Sequence, residues 1–285
     1  MADPQVPSPA EALALDRIRI VLVEPAGPLN IGAIARAMKN FGLSRLVLVS
    51  PQCDPVGGQA RQMAVHAGDL LAQAQRVATL TDALAGCQHI VATVGRDVST
   101  DELAIAPPAI AMAQIWQKAT TGQTVALIFG REDRGLLNPE IALAHQLIRI
   151  PTSDAYGSMN LAQAATVCFY ELFSRAIAPP PSLVTTPNEP TSDGSTAAMA
   201  DELAPPPPFE ATESFYGDLE DLLLAIGYLY PHTAASRMQT FRKLLTRAQP
   251  SDRDLAMLRG ILRQTRWAIA HGPNSNPNSN AGTSE

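Results

Sequence analysis

The run Ile18–Val23 (IRIVLV) is apolar at every position except Arg19. A strand with one wet face alternates apolar and polar residues. A run this continuous instead predicts a strand buried on both faces. Similar short runs recur at Leu46–Val49, His89–Val94, Thr124–Phe129 and Leu147–Ile150. Between them, Ile31–Phe41, Gln59–Gln73, Ala109–Thr120, Asn138–His145 and Ser158–Ile177 read as helices, with a short piece at Val77–Leu80. Strand and helix in alternation, joined by short loops, predict an α/β fold: a mostly parallel sheet with helices on both faces.

The flanks differ in character. Residues 1–16 are Pro/Ala-rich and read as a flexible leader, so the first domain spans 17–177. Residues 178–208 read as a Pro-rich acidic linker, because Pro179–Pro181, Pro187, Pro190 and Pro205–Pro208 break any regular element. Residues 209–270 read as a small all-helical domain, with apolar positions at helical spacing in Phe215–Tyr228, Ala234–Ala248 and Ser251–Ile269. Ser251 is suited to cap the last of these. The tail 271–285 is rich in Asn, Pro and Ser and reads as disordered.

A net charge of −6 argues at face value against a nucleic-acid partner. The distribution argues the other way. From Ala176 to Ser236 there are nine acids and no Lys or Arg, whereas from Arg237 to Arg266 eight basic residues face only Asp252 and Asp254. Arg242, Lys243 and Arg247 fall on one predicted helix, Arg259, Arg263 and Arg266 on another, and such stripes grip phosphates. No apolar stretch is long enough to span a bilayer, and no signal-peptide layout opens the chain, so a cytoplasmic protein without a membrane partner is expected. Cys53, Cys87 and Cys168 form no CxxC pair, and the five histidines show no metal-ligand spacing; no disulfide frame and no metal are expected.

In a parallel sheet, ligands bind beyond the C-terminal ends of the strands. Those ends carry Glu24–Asn30, Gly95–Asp97, Gly130–Gly135 and Pro151–Ser158. The segment Tyr156-Gly157-Ser158-Met159-Asn160-Leu161 opens a helix, where backbone amides point at a ligand. There is no GxGxxG after the first strand, no GxxxxGK[ST] and no nucleophile elbow. An enzyme built on these loops works by positioning, with arginine, amide and hydroxyl groups.

Three segments, "EPAGPLNIGAIARAMKNFGL", "ALIFGREDRGL" and "IPTSDAYGSMNLAQAATVCFYEL", resemble the three ordered motifs of the SPOUT superfamily in its ribose-methylating, TrmH-like branch. The resemblance runs from about Ile18 to Ser174. The stretches "FYGDLEDLLLAIGY", "FRKLLTRAQP" and "LAMLRGILRQTRWA" resemble the helical domain appended to the tRNA (cytidine/uridine-2′-O-)-methyltransferases of that branch. The resemblance implies a trefoil knot at the C-terminal end of the catalytic domain, a rare topology that patterning alone never suggests. It also implies S-adenosylmethionine as cofactor, a homodimer, and tRNA as partner, methylated on the ribose at position 32 of the anticodon loop. Thr93, Val94, Gly95, Gly130, Ile150, Gly157, Ser158 and Met159 would then hold the cofactor. Arg36, Asn30 and Ser158 would act on the acceptor, and Arg242, Lys243, Arg247, Arg259 and Arg263 would grip tRNA.

Blander roles stand beside these. Asn30 or Ser158 could simply cap a helix, Arg36 could be a solvated charge, Tyr156 could pack within the loop, and Glu132 could hold loop amides. Gly27 stands where relatives often have Asn, and Met159 where they have Leu. Other readings are a ribose methyltransferase for rRNA or another tRNA position, a non-catalytic RNA-binding relative, and a methyltransferase for a non-RNA substrate, which the basic stretch disfavours.

Overall fold

The computed structural model of this 285-residue chain describes residues 7–95, 105–178 and 205–271. The chain divides into two compact units, Met1–Ser195 and Thr196–Glu285. The expected linker lies outside the described residues from 179 to 204, as do the tail from 272 and Asp97 of the expected ligand loop.

In the first unit, β1 (Ile18–Val23), β2 (Arg45–Val49), β3 (Gln75–Val77), β4 (His89–Thr93), β5 (Ile105–Ala106), β6 (Val125–Phe129) and β7 (Gln146–Ile148) form one sheet. Their order is β3-β2-β1-β6-β4-β7-β5, and every pairing is parallel. The register explains the continuous apolar runs. Leu46, Ile20, Leu127 and Val91 stand side by side across four strands and face one core. The adjacent row, Val47, Val21, Ile128, Ala92 and Leu147, is equally buried on the other face. Neither face meets water, so neither can alternate.

The helices are α1 (Pro9–Leu15), α2 (Pro28–Asn40), α3 (Gly58–Ala64), α4 (Gly68–Gln73), α5 (Leu80–Leu84), α6 (Pro108–Thr120), α7 (Asn138–Ile141) and α8 (Leu161–Ala176). α8 packs on both α2 and α6, and Ile34, Met38, Met112, Ile115, Phe169 and Leu172 join the core shared with Ile20 and Leu127.

Three expectations need correction. The leader is not loose from residue 9 onward: Ser8 and Glu11 form a capping box, and Ala14 and Leu15 are buried where α1 packs on α6. The single helix expected over Gln59–Gln73 is broken into α3, a 3₁₀ turn and α4, because Val65 takes φ +53°, a conformation that ends a helix. β5, two residues long, gives no periodic signal and was not expected.

At the opposite edge of the sheet from the ligand loops, His145 continues the ladder of β7. Its N–H donates to the Ile90 carbonyl at 2.8 Å, and the Ile90 N–H donates to His145 Nδ1 at 2.9 Å. The ring stacks on His89 at 5.4 Å. Nδ1 can accept only while the imidazole is neutral. Burial, helped by Lys118, pulls the His145 pKa from its ordinary value of 6.5 to about 4. The folded pKa lies below the unfolded one, so the unfolded chain binds the extra proton. Stability is therefore full above about pH 6.5 and falls as the pH drops toward 4. Urea midpoints measured across that window should fall with pH in the wild type and less steeply in His145→Gln; parallel curves would disprove the assignment.

The second unit consists of α9 (Phe209–Ala225), α10 (Ala234–Ala248) and α11 (Asp252–His271). Phe215, Tyr216, Leu222, Leu229, Met238, Leu255 and Leu262 form its core. Ser251 caps α11 as expected: its Oγ accepts from the Asp254 N–H, and the Asp254 carboxylate accepts from the Ser251 N–H at 2.9 Å. Among the described residues no helix is long and apolar enough to cross a membrane, and no three His, Cys, Asp or Glu side chains are grouped to hold a metal ion.

Candidate functional site

The loops after β1, β6 and β7 meet at the C-terminal edge of the sheet, joined by a chain of three side chains. The Glu132 carboxylate accepts from the N–H groups of Ala26 at 3.1 Å and Gly27 at 2.9 Å, and from Asn30 Nδ2 at 3.1 Å. The Asn30 Oδ1 accepts from Asn160 Nδ2 at 3.0 Å. The Asn160 Oδ1 accepts in turn from the N–H groups of Ala162 and Gln163 and caps α8. Burial works to raise the Glu132 pKa, but the bonds from Asn30, Ala26 and Gly27 outweigh it and hold the carboxyl below its usual range. Glu132 holds loop amides.

Two cap assignments change. α2 begins at Pro28 with Gly27 as its N-cap, so Asn30 lies inside the first turn and is free to bridge the loops. α8 begins at Leu161, so Asn160 rather than Ser158 is its cap. Gly27 has a reason to lack a side chain: a Cβ there would lie 2.9 Å from Asn30 Nδ2 and 3.1 Å from Glu132 Oε1.

Behind Glu132 a buried arginine fixes its hairpin. Arg131, with a side chain 6% exposed, donates from Nε to Glu24 at 2.7 Å and from both Nη atoms to Glu140 at 2.9 and 3.0 Å. Its main chain pairs with Gly135. The hairpin closes so tightly that a Cβ on Gly130 would lie 2.3 Å from the Gly135 carbonyl carbon. Sequence reasoning put Glu24, Arg131 and Asn160 in the ligand loops without giving them a role, and did not single out Glu140. The available signal for Asn160 was its position just before a helical pattern. None pointed to Arg131.

The other expected residues fall into three groups. Thr93, Val94 and Gly95 end β4, Gly130 ends β6 and Ile150 follows β7; these strands are neighbours, so the five residues line one stretch of the sheet edge. The Thr93 hydroxyl donates to the Ile128 carbonyl at 3.0 Å, while Val94, Ile150, Gly157 and Met159 are half-buried and Gly95 and Ser158 exposed. Arg36 stands six residues beyond Asn30 on α2, exposed and outside the side-chain chain, with no hydrogen bond or ion pair among the described residues. In the helical unit, Arg242 pairs with Glu213 and lies 4.3 Å from the Tyr216 ring centroid, and Arg259 donates to the Ala211 carbonyl at 2.7 Å. Both thus brace α9. Lys243 is half-buried, and Arg247 and Arg263 are exposed.

The chain belongs to the SpoU rRNA methylase family, whose model matches residues 17–170. Residues 210–275 match the C-terminal domain of the tRNA methyltransferase TrmJ, so the chain is of the TrmJ type. It is 37% identical over 248 residues to the tRNA (cytidine/uridine-2′-O-)-methyltransferase TrmJ of Cronobacter sakazakii, covering 87% of this chain and 95% of that one. Against the protein of the same name from Salmonella typhimurium the identity is 38%, covering 87% and 96%. The crystal structure of TrmJ from Z. mobilis ZM4 superposes with a TM-score of 0.71 at 30% identity, covering 87% of this chain and 98% of that chain.

Proposed function

We propose that the protein methylates the ribose 2′-hydroxyl of a cytidine or uridine in tRNA, at position 32 of the anticodon loop, with S-adenosylmethionine as donor. One observation carries this reading: Glu132, Asn30 and Asn160 tie three loops into a single site at the sheet edge. The type of its relatives supplies the substrate class. The residues present fit the cofactor. Three neighbouring strand ends offer backbone groups beside half-buried Val94, Ile150 and Met159, which suits a flat base and a ribose. Gly130 and Gly157 keep that edge free of side chains.

When bound, the sulfonium would supply a methyl group to the ribose oxygen as its C–S bond breaks, the hydroxyl proton passing to water. The chain's own residues then have three tasks. Asn30 and Asn160 hold the loops at a fixed spacing, which brings the acceptor to near-attack geometry. Ser158, exposed on the same loop, would hydrogen-bond the hydroxyl. Arg36, exposed and unpaired, orients RNA phosphate and stabilises developing alkoxide charge.

The chain returns from β7 at residues 150–160 to loops laid down far earlier, which supports a knotted path. The shared-site homodimer and a cytoplasmic location accompany the same reading. Arg247, Arg263 and Lys243 provide the phosphate grip of the helical unit, while Arg242 and Arg259 stiffen it. Labelled methyl transfer to unmodified tRNA transcripts, followed by mapping of the 2′-O-methyl position, tests the proposal. Methyl incorporation at the anticodon loop is expected, falling several-fold in Arg247→Gln/Arg263→Gln; label on rRNA alone would overturn it.

A further inference from the structure

The loop that carries Ser158 and Asn160 also carries an aromatic ring that nothing covers. Tyr156 is 76% exposed, against 60% for Met257, the next most exposed large apolar side chain among the described residues. It has no hydrogen bond and no ring contact among them. The loop does not leave it loose. Asn160 is anchored to Asn30, and the Thr152 hydroxyl donates to the Gly157 carbonyl at 3.4 Å, which closes the segment below the ring. Tyr156 is held outward from a stapled turn.

The other two tied loops repeat the pattern. Leu29, beside Asn30, is 48% exposed, and Leu137, just beyond the Glu132 hairpin, is 45% exposed. A single exposed apolar residue needs no explanation. One on each of three loops joined by one hydrogen-bonded chain does, because the polar site is then rimmed by apolar surface.

We infer that Tyr156 stacks on an unpaired base, that of the methylated nucleotide or its immediate neighbour, and so selects single-stranded RNA at this site. This rests on the reading above and adds the residue that grips the base. A 2′-hydroxyl enters a recessed cleft most readily when its nucleotide is splayed from the helical stack. Proteins secure such bases on aromatic rings, whatever the base identity, because every base has a π face. Tolerance of both cytidine and uridine follows, since stacking reads the ring rather than its hydrogen-bonding edge. The Tyr156 hydroxyl has no part in this, so phenylalanine should serve equally well.

The test uses the full-length chain with unmodified tRNA transcripts. Wild type, Tyr156→Phe and Tyr156→Ala are compared for kcat, KM for tRNA, S-adenosylmethionine affinity by calorimetry, and mass in solution by light scattering. Tyr156→Phe should stay within about two-fold of wild type. Tyr156→Ala should lose roughly ten-fold or more in kcat/KM for tRNA, with cofactor affinity and mass unchanged. Equal activity in Tyr156→Ala overturns the inference. So does a loss accompanied by a changed mass, which assigns the ring to a contact between two copies, or by weaker cofactor binding, which assigns it to the cofactor. A wild-type chain that leaves tRNA unmethylated removes the broader reading and this inference with it. A wild type that methylates, matched by Tyr156→Ala, removes this inference alone.

Discussion

Arg36→Ala is expected to lower kcat/KM for tRNA by about 10²-fold or more while leaving S-adenosylmethionine affinity unchanged. The reason is its location. The side chain is exposed on α2, beyond the loop set by Glu132, and no described group pairs with it. Its removal therefore takes no brace from the fold, and the unfolding free energy from urea denaturation should stay within about 0.5 kcal/mol of wild type. What is lost is the planar cation proposed to meet phosphate or alkoxide. Lysine supplies charge without the fork geometry, so Arg36→Lys should recover only a small part of the activity. Near-normal turnover in the lysine variant would rule out a dedicated guanidinium role. Steady-state kinetics paired with calorimetry on the same preparations decides the matter.

Arg131→Ala should instead act on stability, by about 3 kcal/mol, with activity falling as a consequence. Removing one partner of a buried ion pair leaves the others charged and uncompensated, at a typical cost of about 3–5 kcal/mol. Glu140 and Glu24 keep 16% and 33% exposure, so water relieves part of that cost and the lower end applies. Arg131 holds the Glu24 pKa below its usual range, chiefly through the direct hydrogen bond. Without that bond, the end of β1 and the hairpin after β6 lose their common anchor. Glu132 sits next along that hairpin, so the amides of Ala26 and Gly27 lose a fixed acceptor. Urea denaturation should show a lower midpoint with the same slope. Replacing Arg131, Glu24 and Glu140 together by apolar residues should cost less than Arg131→Ala alone, because no orphaned charge remains. An unchanged midpoint in Arg131→Ala would mean the clamp is idle.

The parts legible in the sequence were those governed by local periodicity. Ile18–Val23 announced a doubly buried strand because both of its faces had to be apolar, and β1 spans those same residues. The strand ends then placed Glu24, Gly130 and Ile150 at one edge. Less legible was anything fixed by a partner remote in sequence. Asn30 looked like a cap because its side chain suits one; its actual partners, Glu132 and Asn160, lie 102 and 130 residues away. Arg242 looked like a phosphate ligand because charge on a helix reads the same whether it meets solvent or Glu213. The break at Val65 was hidden because a β-branched residue gives no sign that it will take a positive φ.

The position of β6 has a consequence for synthesis. Its residues, 125–129, slot between β1 and β4, both of which leave the ribosome much earlier. Until they emerge, β1 and β4 each present a row of unanswered amides and carbonyls, flanked by mostly apolar side chains. Such edges recruit any neighbouring strand, including one from a second nascent chain. Translation that stalls once β4 has cleared the exit tunnel but before β6 has should therefore yield aggregation-prone fragments, and chaperone demand should peak in that interval.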